Sequence, residues 1–267
     1  MSEISAVVVG SGGREHALAW ALERSGHFER VYVAPGNAGT PNRVPVAAVG
    51  PQAADALIDF ARERGVGLVV IGPEAPLAAG LADRLREAGI YVAGPSRAAA
   101  RIESSKAFAK RLMEQAGVPT APFRIFVEPE RALEYVRRLD EPVVVKADGL
   151  AGGKGVVVCD SPQQAVEAVE ALMVRRVLGD AGRMVVVERR LRGRELSVMV
   201  VTDGERLVVL PPARDYKRLL DGDKGPNTGG MGSVAPIDVE AEASLPLDAI
   251  LDRVIRPTLS ALAAEGT

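Results

Sequence analysis

Short apolar runs alternate with amphipathic segments over the first hundred residues. The runs have the length and composition of strands, and the segments between them have the spacing of helices. The predicted strands are 6–10, 31–34, 68–71 and 91–93, and the predicted helices are 15–25, 55–64 and 77–88. Because strands and helices alternate, this region is expected to form a parallel, doubly wound sheet. The predicted fold class is therefore α/β, with a Rossmann-like N-terminal domain.

The pattern changes after residue 95. Residues 98–116 have the spacing of a single helix that carries Lys106, and Gly117 with Pro119 supplies its stop signal. Strands are predicted at 124–127, 143–146, 155–159 and 184–188, and helices at 130–139, 162–174 and 249–264. Residues 195–202 and 207–210 predict an antiparallel pair around Asp203-Gly204. Residues 211–236 are rich in Gly and Pro without a clear period, which predicts a long functional loop or, alternatively, an ordinary mobile surface loop.

These segments predict a division into four parts. The substrate-binding N-domain covers 1–100 and a helical linker covers 101–122. A subdomain with a glycine-rich flap covers 123–188, and a second subdomain covers 189–267.

Composition excludes several classes of function. The net charge is −2 and aromatic residues are 4% of the 267, so neither a basic field nor a stacking surface indicates a nucleic-acid partner. No apolar run is long enough to span a membrane. The single cysteine, Cys159, forms no internal disulfide, and with only two histidines it makes no zinc site. A reduced, cytoplasmic protein is expected.

The first glycine-rich turn, at 10–16, follows a strand and opens a helix. Its backbone N–H groups can hold an anion at the helix N-terminus. Glu15 occupies the place of the third glycine of a dinucleotide fingerprint, and no acid follows the second strand, so a dehydrogenase is disfavoured. A phosphate-bearing substrate is the better functional hypothesis, and a tight structural turn is the alternative.

The second glycine-rich segment, at 146–155, begins with Lys146 and contains Lys154. It is not a Walker A loop, because Gly155 stands where a Ser or Thr would contact magnesium. Glycines allow the backbone to close over a polyphosphate, and lysines supply point charges. A solvated hairpin tip is the alternative. A third segment ends a strand at Glu188 and carries Glu195, which suits the adenine and ribose of a nucleotide only in combination with the other two.

The order of Lys106, Lys146 with its glycine-rich segment, and the pair Glu188 and Glu195 resembles that of the ATP-grasp superfamily. More specific motifs are Gly-Gly-Arg-Glu-His-Ala-Leu at 12–18, Ala-Pro-Gly-Asn-Ala-Gly-Thr at 34–40, Gly-Pro-Glu-Ala-Pro-Leu at 72–77 and Gly-Pro-Asn-Thr-Gly-Gly-Met-Gly at 225–232. With Lys-Ala-Asp-Gly-Leu-Ala at 146–151, they resemble the glycinamide ribonucleotide synthetase family over nearly the whole chain. The resemblance implies an incomplete ATP-grasp α+β domain after the Rossmann-like, pre-ATP-grasp N-domain.

The resemblance also implies a reaction and a set of site residues. The family uses ATP to join glycine to phosphoribosylamine through glycyl phosphate in purine synthesis, with Mg²⁺ or Mn²⁺. The implied ATP ligands are Lys106, Lys146, Gly152, Gly153, Lys154, Glu188, Arg189, Leu191 and Glu195. The implied catalytic residues are Asp215, Lys217 and Asn227. The implied substrate-binding residues are Gly12, Gly13, Arg14, Asn37, Glu74, Thr228, Gly229, Gly230 and Met231.

The family's metal ligands, a glutamate and an asparagine, are expected beyond residue 267. No metal ligand is therefore predicted within the chain, and little ligase activity is expected of the chain alone. A non-catalytic nucleotide- or substrate-binding module and another ATP-grasp carboxylate–amine ligase are the alternatives. The resemblance also implies a monomer for the full-length enzyme.

Overall fold

The computed structural model describes residues 4–50, 52–222, 224–243 and 245–267, apart from the side chains of Pro226 and Asn227. The chain forms two compact units that divide between Ser104 and Ser105. Among the described residues, no helix is both long and apolar enough to cross a membrane.

The first unit contains a parallel four-stranded sheet in the order β2-β1-β3-β4. Its elements in chain order are β1 (Ser5–Gly10), α1 (Gly13–Arg24), β2 (Val31–Pro35), α2 (Ala53–Glu63), β3 (Val66–Ile71), α3 (Glu74–Ala78), α4 (Leu81–Glu87), β4 (Tyr91–Ala93) and α5 (Arg101–Ser104). The predicted parallel sheet and Rossmann-like class are confirmed.

Helices cover both faces of this sheet, and β1, one of its two inner strands, is buried throughout. Val7 and Val9 of β1 pack with Leu57 of α2 and Leu85 of α4. Ala6 and Val8 point to the other face and pack with Ala19 of α1. This burial explains why β1 is a continuous apolar run and not an alternating one.

The second unit is built around an antiparallel four-stranded sheet in the order β5-β8-β6-β7. Its first elements are α6 (Lys106–Gln115), β5 (Phe123–Phe126), α7 (Pro129–Arg137), β6 (Val143–Ala147), β7 (Val156–Cys159), α8 (Pro162–Val169) and β8 (Val185–Arg189). Two antiparallel pairs follow, β9 (Val200–Thr202) with β10 (Leu207–Val209) and β11 (Arg214–Leu220) with β12 (Lys224–Val234). The final helices are α9 (Val239–Ala243), α10 (Leu247–Ile250) and α11 (Arg256–Ala264).

Two predicted single helices are wrong, because each is interrupted. Residues 77–88 do not form one helix, since Gly80 adopts a left-handed conformation with φ of 87° between α3 and α4. Residues 98–116 do not form one helix either, since Ser105 is extended, with φ of −137° and ψ of 109°. The Ser105 hydroxyl instead accepts a hydrogen bond from the Phe108 N–H and starts α6.

The prediction of a long loop over 211–236 is also wrong. Most of this segment forms the β11–β12 hairpin, in which Tyr216 pairs with Gly232 and Arg218 with Asn227. The segment lacks alternating apolar residues, so its sequence carries no strand period. The two strands are held in extended conformation by the hydrogen bonds between them.

Other boundaries differ by smaller shifts. The predicted strand 195–202 begins only at Val200. The predicted helix 249–264 begins earlier, at Leu247, and contains a π-helical turn, Leu251–Ile255, before Pro257. Proline lacks the N–H that a regular helix needs at this point, which accounts for the irregular turn.

Candidate active site

A buried glutamate holds the turn between β1 and α1. Glu15 is 5% exposed, and its Oε2 accepts a hydrogen bond from the Gly12 N–H at 2.7 Å. A Cβ atom on Gly10 would lie 2.4 Å from the Glu15 side chain, and one on Gly72 would lie 2.1 Å from it. Both loops therefore need glycine in order to close around this carboxylate. In the sequence, Glu15 counted against a dinucleotide fingerprint and belonged to the family motif at 12–18, but neither observation gave it this structural role.

Three loops at the carboxyl ends of β1, β2 and β3 are joined by side chains of the first unit. The Arg14 guanidinium donates to the Gly72 carbonyl at 2.8 Å. The Asn37 amide donates to the Ser11 carbonyl at 2.9 Å, and its own oxygen accepts from the Gly39 N–H. This edge is where open α/β sheets bind ligands.

A cavity of about 340 Å³ lies at this edge. Arg14 and Glu74 line it, together with Gly72, Leu77, Pro95, Ala100, Ile102 and Glu103. Of the residues predicted to bind phosphoribosylamine, these two therefore meet in one cavity. Gly12, Gly13 and Asn37 are not part of its lining and belong to the loops that follow β1 and β2.

The two faces of the second unit's sheet have different roles. Val143, Val145 and Val187 point to one face and pack against α7 and α8. Val144, Val156 and Val158 point to the opposite face and form the apolar floor of a larger cavity, of about 700 Å³. This division follows from the two-residue period of a strand.

Lys146 and Glu188 stand on the cavity face of this sheet and form an ion pair. Glu188 is 7% exposed, and its second oxygen, Oε2, lies 2.5 Å from Lys110 Nζ of α6. One carboxylate is thus shared by two ammonium groups. Pairing of this kind compensates the cost of burying the carboxylate.

The segment after β8 forms one wall of the cavity. The Arg189 N–H donates to the Pro122 carbonyl and the Arg190 N–H to the Pro142 carbonyl. Backbone donors available to a ligand therefore begin no earlier than Leu191, which also lines the cavity.

Glu195, Asp215 and Lys217 also line the cavity and lie close together. Lys217 Nζ donates to Glu195 Oε2 at 3.0 Å and lies 3.4 Å from Asp215 Oδ2. The hydrogen bond to Glu195 and the charge of Asp215 raise the pKa of Lys217. Lys217 is therefore cationic at neutral pH.

The neighbouring Arg214 fixes the backbone at Glu195. Its Nε donates to the Glu195 carbonyl at 3.1 Å, and its Nη2 donates to Glu242 Oε2 at 2.7 Å. This hydrogen bond raises the pKa of Arg214 and lowers that of Glu242. Arg194 lies 2.8 Å from the same Glu242 oxygen, so two cations share one carboxylate.

Cations outnumber carboxylates in the lining of the cavity. Its charged lining residues are Lys146, Glu188, Arg189, Arg190, Arg192, Arg194, Glu195, Arg214, Asp215, Lys217 and Arg218. Eight cations and three carboxylates line it, over an apolar floor. Four of these cations also pair with carboxylates outside the lining, which are Glu141, Asp160 and Glu242. Such a lining suits an anionic ligand that also carries an apolar ring.

Other predicted ATP ligands lie outside this lining. The Lys106 ammonium donates to the carbonyls of Asp148 and Gly149, at 3.4 and 3.2 Å. Gly152 and Gly153 adopt positive φ values of 54° and 79° at the β6–β7 turn, before Lys154. Both values lie in the left-handed region, which glycine adopts without steric cost.

The predicted glycine-site residues of 227–232 belong to β12. The Thr228 hydroxyl donates to the Lys217 carbonyl at 2.9 Å and accepts from the Gly230 N–H. Gly229 and Met231 are exposed. The Asn227 side chain lies outside the described part of the chain.

Sequence reasoning missed Lys110 and assigned Arg192, Arg194 and Arg218 no role. A lysine at position 110, within a predicted helix, is expected to be exposed to solvent. No local sequence pattern distinguishes Lys110 from an ordinary surface lysine. Arg192 and Arg194 belong to a cluster of arginines after Glu188, and Arg218 lies further along the sequence. Only the fold places all three around one cavity. Among the described residues, no three His, Cys, Asp or Glu side chains gather as a metal ion requires.

Comparisons with known proteins agree with these features. Residues 4–103 match the phosphoribosylglycinamide synthetase N domain, and residues 104–267 match the ATP-grasp (A) domain of the same synthetase. This is the glycinamide ribonucleotide synthetase family named above.

Individual relatives are similar over nearly all of the chain. It is 51% identical to a phosphoribosylamine–glycine ligase of Rhodopirellula baltica, over 92% of this chain and 57% of that protein. It is 46% identical to the human trifunctional purine biosynthetic protein adenosine-3, over 98% and 26%. The crystal structure of the phosphoribosylamine–glycine ligase of Thermotoga maritima has a TM-score of 0.81 at 36% identity, covering 98% of this chain and 62% of that one.

The chain thus spans a little over half the length of the single-function relatives that it matches. The two matched domains together cover residues 4–267, which include both glycine-rich turns and both cavities. The chain therefore belongs to the phosphoribosylglycinamide synthetase family and carries its N domain followed by its ATP-grasp domain.

Proposed function

We propose that this chain takes part in the ATP-dependent joining of glycine to phosphoribosylamine, a step of purine synthesis. The observation that carries the proposal is the cation-lined cavity of the second unit, with Lys146 and Glu188 on its floor. It supports ATP as the ligand, because it offers positive charge for phosphates and a valine surface for the adenine ring.

Individual residues of the second unit take the following roles in this proposal. Lys146 binds the ATP phosphates, joined by Lys106 and Lys154 from the α6 start and the β6–β7 turn. The backbone from Leu191 binds adenine beside Glu188, and Glu195 binds the ribose. Asp215 and Lys217 hold glycine, with Asn227 and the strand that follows it.

The first unit supplies the phosphoribosylamine site in this proposal. The turn at Gly12 and Gly13 offers backbone N–H groups at the start of α1, where a phosphate is favoured. In the cavity of the first unit, Arg14 offers a guanidinium, and Glu74 offers a carboxylate for hydroxyl or amine groups. Asn37 holds the turn in place through its hydrogen bond to Ser11.

The chemistry divides into two transfers. The glycine carboxylate attacks the γ-phosphorus of ATP, which forms glycyl phosphate and releases ADP. The phosphoribosylamine nitrogen then attacks the glycyl carbonyl carbon, phosphate leaves, and the nitrogen loses a proton. The residues act by positioning the reactants and stabilising developing negative charge.

The use of magnesium, which the family resemblance implies, stays a prediction for this chain. Since the described residues gather no metal-ligand set, no step of the proposal runs through a metal ion. The predicted monomeric state and cytoplasmic location also stay predictions.

Two measurements on the 267-residue chain test the proposal. Calorimetric titration should detect binding of ADP and of ATP. If neither nucleotide binds, the proposal is overturned. Phosphate release is then measured with ATP, glycine and phosphoribosylamine, omitting each in turn. Release that requires all three would show that the 267-residue chain has ligase activity by itself. Nucleotide binding without any release agrees with the little activity expected of the chain alone, and it favours binding over catalysis as the role of this chain by itself.

A further inference from the structure

Lys110 is a nearly buried lysine without a role in the proposed reaction. Its side chain is 12% exposed, and it projects from α6 toward β8, against which the helix packs. Its ammonium donates to the Thr120 hydroxyl at 2.7 Å and lies 5.5 Å from the centre of the Phe123 ring. Three groups, Glu188 included, therefore hold this ammonium in one place.

The Glu188 carboxylate depends on cations. Its side chain is 8% exposed, and Oε2 has almost no solvent contact and faces the Lys110 ammonium. Compensation of Oε2 therefore comes from the charge of Lys110, 2.5 Å away. A buried carboxylate that loses its partner is costly.

The two lysines around Glu188 differ in their freedom to move. Lys146 is 25% exposed and lines the cavity, whereas Lys110 is more buried and is not part of the lining. Lys146 is therefore the partner that a ligand in the cavity can reach.

We propose that Lys110 is a positioning residue that keeps Glu188 neutralised while Lys146 leaves it to bind a nucleotide phosphate. The inference rests on the proposed function, because it takes Lys146 as a phosphate ligand. Without Lys110, movement of Lys146 to the nucleotide would leave Glu188 buried and unpaired. Lys146 would then stay with the glutamate, and the phosphate would lose a cation.

A double-mutant comparison tests this coupling. ADP binding is titrated with the wild-type chain, Lys110→Met, Glu188→Gln and the variant carrying both substitutions. Lys110→Met is expected to weaken ADP binding about five- to fiftyfold in the wild-type background. The same substitution should change binding less than about twofold in the Glu188→Gln background, where no carboxylate has to be compensated. Equal losses in the two backgrounds would overturn the proposal.

Adenosine distinguishes a positioning role from a structural one. It lacks phosphates, so Lys110→Met should leave its affinity, measured by competition, within about twofold. A parallel loss for adenosine and ADP would show general damage to the cavity and overturn the proposal. Lys110→Arg, which keeps the charge, should restore part of the ADP affinity.

Controls separate this inference from the proposed function. Arg111→Met removes a charge from an exposed position of the same helix and should leave ADP binding unchanged. If Lys110→Met alone does not fold, as judged by thermal melting, Glu188→Gln is compared with the double variant, and a difference above about threefold overturns the inference. Wild-type binding with an unaffected Lys110→Met variant overturns this inference alone, whereas no wild-type binding overturns the proposed function as well.

Discussion

Lys146 and Glu188 form an ion pair although they are not opposite each other in the sheet. Val144 is the residue opposite Glu188, and Val186 is the one opposite Lys146. The two charged side chains are therefore diagonal neighbours on one face of an antiparallel pair, a distance that long side chains span. The strand register thus places a cation and its counter-ion on the cavity floor.

Replacement of Lys146 by methionine is expected to weaken ADP binding by about ten- to hundredfold, because a charged hydrogen bond to phosphate is lost while the side-chain volume is nearly kept. Calorimetric titration measures the change. Arg137→Met is the control, since Arg137 is exposed on α7, which packs against the opposite face of the sheet. Unchanged ADP affinity in Lys146→Met would contradict the assignment of Lys146 as a phosphate ligand.

Replacement of Gly72 by alanine is expected to lower the free energy of unfolding by about 1–3 kcal/mol, because the new methyl group overlaps the buried Glu15 carboxylate. Gly13→Ala is the matched control. Gly13 begins α1, and no heavy atom would lie within 4 Å of its added Cβ. Denaturant unfolding should show destabilisation for Gly72→Ala only, and equal stability of the two variants would refute the packing argument.

Cys159 is expected to resist thiol reagents in the folded protein. It is fully buried, and burial raises the pKa of its thiol to about 11. At pH 8 about one thiol in a thousand is then ionised, and the thiolate is the reactive form. Reaction with a chromogenic disulfide should be slow in buffer and fast in denaturant. Comparable rates in both conditions would show that the site is open.

Glu242 is expected to stabilise the protein in a pH-dependent way. The hydrogen bond from Arg214 lowers the pKa of Glu242 below its ordinary value of 4.5. Its contribution is therefore fully present above pH 4.5 and is lost as the pH falls through the lower, folded-state pKa. The Tm difference between wild type and Glu242→Gln should be largest near neutral pH and close on acidification.

The neighbouring Glu240 provides the control for this prediction. It is exposed on the same short helix, and Glu240→Gln should change Tm little at any pH. A Tm difference for Glu242→Gln that stays constant with pH would mean that the carboxylate acts by packing and not by charge.

Periodic apolar patterns were sufficient to predict most of the fold. The β1 run is wholly buried because helices cover both faces of its sheet, and such burial requires apolar residues at successive positions. The glycine turn after β1 and the Lys146 turn after β6 were predicted because clustered glycines between two regular elements indicate a turn. The site assignments drawn from the resemblance stay predictions, although Lys146, Glu188, Glu195, Asp215 and Lys217 do line one cavity.

Interruptions within helices could not be predicted in the same way. Residues 98–116 have one helical period, but the Asp148 carboxylate accepts hydrogen bonds from Ser105 Oγ and the Ala107 N–H. These contacts support a new helix start at Lys106. Asp148 is distant in sequence, so no local pattern contains this information.

The sequence by itself determined the alternation of strands and helices, the position of the glycine turns and the family. Only the tertiary structure decided that β11 and β12 pair, that Glu15 holds two loops together and that Lys110 reaches Glu188. Apolar period and backbone freedom are properties of neighbouring residues, so they are readable along the chain. Ion pairs, and strands whose sequence has no apolar period, depend on partners that lie elsewhere in the sequence. Only folding brings those partners together.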